Sequence, residues 1–172
     1  YSRFEQGQFI GIISDYVKLF GERLGVEIQL NITENLQQSL NQVVDGGCDF
    51  LPGTVNELST TNNLLYSRPY MDIPVVVATL DEMPYIAGIE QLSHRPIGIV
   101  KGHPYLDSYR EGYPGLDITL VDNTFEGLQL ITRKTIDGLI ETPAAISKTL
   151  QRHHITGIKI GGSLGNKHPV SV

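Results

Sequence analysis

Apolar positions along the 172-residue chain recur at two spacings, one helical and one alternating, and so predict helices and strands by turns. Ser14 can cap a helix reaching about Leu24, with Val17, Leu19, Phe20 and Leu24 on one side and Gly25 as its stop. Val26-Glu-Ile-Gln-Leu30 alternates as a half-buried strand does. Thr33 opens a second helix carrying Leu36, Leu40, Val43 and Val44, which ends at Gly46-Gly47. Asp49-Phe-Leu51 reads as a short strand entering the loop Pro52-Gly-Thr-Val-Asn56, and Ile73 to Thr79 is apolar enough for a strand covered on both faces.

A second series follows the first. Strands are expected at Ile97–Val100, Leu116–Val121, Ile136–Ile140 and Ile158–Ile160, with a closing strand near 168–172. Helices are expected around Tyr105–Arg110, after Asn123 or Thr124, and from Thr142-Pro143 to about Arg152. Strands separated by helices of this size imply parallel sheets with helices on their faces. The series divide into one lobe of 1–79 plus 166–172 and another of 84–160, with crossings at 80–83 and 161–165. Ligands of such sheets sit beyond the carboxyl ends of the strands, so the loops there hold the candidate chemistry.

Composition narrows the function. With 13 Lys+Arg against 19 Asp+Glu the net charge is -6, and no basic cluster offers a nucleic-acid footprint. No apolar run approaches the roughly 20 residues of a membrane-spanning helix. Cys48 is the only cysteine, which excludes an internal disulfide and a CxxC metal or redox site. HExxH, GxxxxGK[ST] and the dinucleotide fingerprint are absent, and the histidines show no ligand spacing, so no catalytic residue, metal or cofactor is expected. The chain opens at Tyr1 without a methionine and ends inside a strand pattern. It therefore reads as a piece of a larger protein whose targeting signals and anchors would lie elsewhere.

Two post-strand loops carry candidate binding residues. Gly53, Thr54 and Asn56 offer backbone N–H groups and short polar side chains to a small polar ligand, or equally form an ordinary turn. Lys101, Gly102 and His103 follow the Ile97–Val100 strand, and Glu141 ends the next apolar strand, where a carboxylate can accept from a ligand ammonium or simply sit at a helix N-terminus.

The run from Gly11-Ile-Ile-Ser-Asp15 through Tyr66-Ser-Arg-Pro-Tyr70, Ile97-Gly-Ile-Val-Lys-Gly102, Asn123-Thr-Phe-Glu-Gly-Leu128 and Ile136-Asp-Gly-Leu-Ile-Glu141 resembles the bacterial extracellular solute-binding proteins of family 3. That resemblance implies a two-lobed α/β flytrap of the periplasmic binding protein type 2 class, lacking here its first strand and terminal helix. It also implies a ligand cleft between the lobes. By the same comparison Tyr1 is the aromatic that stacks on the ligand, Gly53, Thr54 and Asn56 the polar loop, Gly102-His103 the carboxylate contact with Lys101 beside it, and Glu141 the acid for an α-amino group. Thr61 stands where amino-acid binders of the family carry a carboxylate-clamping arginine, a partner worth about 2–5 kcal/mol when buried. The segments around Tyr66–Tyr70, Ile73–Val77 and Tyr113-Pro114 look more like the periplasmic sensor domains of membrane histidine kinases. The implied function is periplasmic sensing of a small polar, amine-bearing solute by lobe closure, coupled to a membrane-anchored signalling portion of the same chain. The alternatives are an importer subunit docking on a permease, a dehydratase-like enzyme using His103 and Glu141 as acid and base, and a purely structural domain.

Overall fold

The structure, a computed structural model, describes residues 2–5, 8–33, 36–55, 64–103 and 105–172. Tyr1, Asn56 and Thr61 lie outside the described residues. By contacts the chain forms two compact units, 1–71 with 169–172, and 72–168. Residues 80–83 and 161–165, where crossings are expected from sequence, belong to the second unit by that division.

In the first unit β1 (Ser2–Glu5) pairs antiparallel with β2 (Gln8–Gly11), Phe4 opposite Phe9. β2 runs straight into α1 (Ile12–Leu24) through Gly11, whose φ of 118° favours glycine. Helix entry therefore precedes Ser14, and the Ser14 hydroxyl donates back to the Gly11 carbonyl at 2.7 Å instead of capping. The buried stripe of α1 is Ile13, Ser14 and Val17, while Tyr16 and Phe20 meet the Tyr70 ring at 4.7 and 5.4 Å. Leu19 faces solvent because it falls off that stripe, and Leu24, though in phase with it, is exposed as the last residue of the helix. Gly25 ends the helix in the left-handed region as expected.

Residues 26–33 form no regular element, although Val26–Leu30 has a strand pattern. A strand exists by hydrogen bonding to a neighbour. Here Val26 N–H goes to the Gly21 carbonyl, and no strand among the described residues pairs with the segment. Asp49–Leu51 is likewise irregular. α2 is Leu36–Val44, and the Thr33 hydroxyl bonds that of Ser39. β3 (Thr54–Val55) pairs antiparallel with 170–171, at the end of the last strand. On the other side of that stretch, Ser67 and Tyr70 N–H groups donate to the Val172 and Val170 carbonyls.

The second unit is built on β4 (Met71–Leu80), β5 (Pro96–Val100), β6 (Asp117–Val121), β7 (Gly138–Glu141) and β8 (Ile158–Ser171), in the order β8-β4-β7-β5-β6. β5 runs parallel to β6 and β7, but β4 runs antiparallel to β7, so the sheet is mixed where a parallel one is expected. β4 is buried without a break from Val75 to Thr79. Val75 and Val77 pack with Ile97, Ile99, Ile140 and Tyr109, and Val76 and Ala78 pack on the other face with Leu128, Ile131, Leu139 and Ile146. The helices supplying those faces are α3 (Leu106–Gly112), α4 (Thr124–Thr132) and α5 (Pro143–His153). The Leu139 side chain fills a hollow left by two glycines. A Cβ on Gly127 would fall 2.5 Å from its Cδ1, and one on Gly98 3.2 Å from the same atom.

β8 continues through Gly161-Gly-Ser-Leu-Gly165 as one strand of 14 residues. Those five residues match the GxSxG spacing of a nucleophile elbow. That motif needs a strand-to-helix turn to expose its serine, and Ser163 lies mid-strand.

Candidate functional site

β5, β6 and β7 are mutually aligned, so their carboxyl ends, Val100, Val121 and Glu141, share one edge of the second unit. Three loops leave that edge. All three lead into helices, and at two of the starts, Asn123 and Pro143, the sequence supplies good helix starters. The Asn123 side chain accepts from the Glu126 N–H at 3.0 Å, and the Glu126 carboxylate accepts from the Asp122 N–H at 2.6 Å, a reciprocal cap on α4. Pro143 begins α5, but Thr142 makes no side-chain cap. Instead its N–H donates to Glu141 Oε1 at 2.6 Å. Glu141 is thus a half-buried carboxylate on the last residue of β7, fixed by a helix N-terminus. One oxygen is engaged by that amide, and the carboxylate has a second to offer.

The loop after β5 is more closed on itself than the sequence suggests. Lys101 N–H donates to the Val121 carbonyl, and its ammonium lies 2.5 Å from Asp122 Oδ1. The Asp122 hydrogen bond and charge hold that ammonium above the usual lysine range. Its charge is therefore shared with a carboxylate. Gly102 sits at φ 76° with nothing within 4 Å of a built Cβ, so glycine is required there by backbone conformation and not by crowding. His103 turns inward. It is 9% exposed, Nδ1 accepts from the Tyr105 N–H at 3.3 Å, and Nε2 is buried with no hydrogen-bond partner among the described residues. Burial, and next the neighbouring His168, lower its pKa to about 4, so the ring is neutral. Its contribution at the edge is backbone.

In the first unit, Gly53 and Thr54 serve the strand pairing. Gly53 N–H and the Thr54 hydroxyl both donate to the Ser171 carbonyl, at 3.1 and 3.2 Å, and Thr54 is buried. The Gly53 backbone also faces the Tyr70 hydroxyl, whose pKa is raised by burial and by Tyr16, with the Gly53 contact opposing. A cavity of about 610 Å³ opens elsewhere in this unit, lined by Phe9, Ile10, Val17, Lys18, Glu22 and Ile28 among others, and none of the expected residues borders it.

Lys101, Gly102 and His103 therefore lie on the loop after β5 and Glu141 at the end of β7, on one sheet edge, and Gly53 and Thr54 lie in the other unit. Two residues that matter were missed. Asp122 is recognisable as the residue following β6. His168 has no local signal, because its ring meets His103 only through the fold. Among the described residues no group of three or more His, Cys, Asp or Glu can hold a metal, and no helix is long and apolar enough to cross a membrane.

No protein-family model matches the sequence. The virulence sensor protein BvgS of Bordetella bronchiseptica is 22% identical over 157 residues, 91% of this chain and 13% of that protein, so the chain spans a small part of its curated relatives. The periplasmic VFT2 domain of Bordetella pertussis BvgS superposes with a TM-score of 0.74 at 18% identity, covering 99% of this chain and 72% of that one. A histidine kinase sensor domain similar to periplasmic binding proteins gives 0.74 at 14% identity, covering 99% and 75%. With its mixed sheet, its flanking helices and these superpositions, the chain has the fold of the periplasmic binding protein type 2, or Venus flytrap, domains.

Proposed function

We propose that this chain is the periplasmic solute-sensing domain of a membrane receptor of the sensor histidine kinase kind, binding a small polar solute and reporting it by lobe closure. The sequence similarity to BvgS over nearly the whole chain and the superposition on kinase sensor domains support that reading. The domain itself binds; the kinase chemistry belongs to the rest of such receptors. The observation that carries the solute class is Glu141, a carboxylate held by the Thr142 amide at the shared edge of β5 and β7. A half-buried carboxylate with a spare oxygen selects a donor, preferably an ammonium. With Lys101 paired to Asp122, the cation for a ligand carboxylate is already neutralised, which favours an amine over an amino acid.

Calorimetric titration with amines, amino acids and small carboxylates tests this. An amine is expected to bind, and Glu141→Gln is expected to weaken it about 10- to 100-fold, the loss of one charged hydrogen bond worth about 1.5–3 kcal/mol. Equal affinity in the variant would reject the assigned residue. Failure of every amine would reject the solute class.

A further inference from the structure

Two histidines that the solute-binding reading leaves idle are buried against each other. The His103 and His168 rings meet edge to face at 5.3 Å, and both residues are more than nine-tenths buried. His103 Nε2 and His168 Nδ1 each lack a hydrogen-bond partner among the described residues. The Tyr105 ring lies 4.8 Å from His168, and the Tyr109 ring stacks on His103 at 6.3 Å. The Tyr105 hydroxyl donates to the Lys167 carbonyl, and Asn166 Nδ2 donates to the Tyr109 hydroxyl at 3.4 Å. These contacts bind two segments: the turn after β5, and the stretch of β8 ending at His168, the last residue of the second unit.

We propose that His103 and His168 form a proton-operated latch, in which protonation of either ring unseats residues 166–168 of β8 from the Tyr105–Tyr109 face and frees residues 101–103. A buried imidazolium with no acceptor is costly, and an exposed one is not. No carboxylate among the described residues is placed to accept it. On β8 the neighbouring charge is Lys167, exposed and 3.6 Å from Asp72 of β4. On α3 it is the exposed pair Asp107 and Arg110, and beyond β5 it is Lys101 on Asp122. Tyr105 and Tyr109 complete the titratable surroundings. Burial lowers both imidazole pKa values, His103 to about 4 with His168 adding to the effect. In the unseated state they return to the ordinary value near 6.5. The seated state is therefore fully favoured above pH 6.5 and loses ground as pH falls toward 4. His103 alone shifts the balance roughly thirty-fold toward the unseated state at pH 5, and His168 acts in the same direction. The latch does not depend on what solute the edge binds.

Ring-proton NMR of the whole chain between pH 8 and pH 4, with hydrogen exchange corrected for intrinsic rates, tests it. The expected result is that His103 and His168 titrate below the ordinary histidine value. Protection of amides at 103, 105–109 and 164–168 should fall by at least about thirty-fold between pH 7.5 and 5 while that of α4 holds. In the double variant His103→Phe/His168→Phe that fall should vanish. Normal titration of both rings, a loss of protection equal in α4, or a pH response persisting in the variant would each overturn the latch. If the variant does not fold, the titration and exchange of the unaltered chain decide alone.

Discussion

Gly127→Ala sets two forces of similar size against each other. Gly127 lies inside α4, where alanine is favoured over glycine by about 0.8–1.0 kcal/mol. The new methyl would lie 2.5 and 2.9 Å from the Leu139 Cδ atoms, about 1 Å inside ordinary contact. Leu139 is fully buried and is also approached by Gly98 on β5, so it has little room to rotate away. Overpacking of this kind costs about 1–3 kcal/mol. The net expectation is a loss of about 1 kcal/mol, read as a lower urea midpoint at constant slope. The decisive arm is the same substitution in Leu139→Ala. That background is itself about 2–5 kcal/mol less stable, but it lacks the clash. There Gly127→Ala should stabilise by about 0.5–1 kcal/mol, a reversal of sign between neighbours in contact. Equal stabilisation in both backgrounds would show that α4 does not approach β7 this closely.

Asn123→Ala removes the side-chain acceptor for the Glu126 amide and should cost about 1 kcal/mol in thermal unfolding, with Asn123→Asp nearly neutral. Gly53→Ala forces a side chain to φ 84° and 2.5 Å from Ile13 Cδ1, so the melting temperature should fall, whereas Gly112→Ala, with open space around it and an ordinary φ, should not lower it. Exchanging Lys101 for methionine breaks a solvent-exposed ion pair and should leave the melting temperature unchanged.

The second unit was the more legible half. β4 and β5 are apolar runs bounded by glycine, proline and polar residues, and such runs mark buried strands whatever their order in the sheet. Asn123 and Thr142-Pro143 announce α4 and α5 through local chemistry, and the loops at their starts follow from that. What failed depends on partners. Val26–Leu30 has the alternation of a strand but no strand partner among the described residues; Leu19 is off the face set by Ile13 and Val17, and Leu24 is exposed because α1 ends there. The direction of β4 is a property of topology that periodicity does not encode. For the candidate site, the positions of Lys101, Gly102 and Glu141 on one edge were readable, but the inward turn of His103 was not. A lone histidine after a strand gives no sign of a second one waiting at the far end of β8.

β4 leaves evolution little freedom. An ordinary surface strand offers every second position to mutational drift, but Val75 to Thr79 have no side open to water. A saturation scan should show five successive positions that reject charged residues, where a one-sided strand would show an alternating tolerance. Sequence change in this molecule is then channelled into its loops, the segments that tolerate variation best on a fixed scaffold.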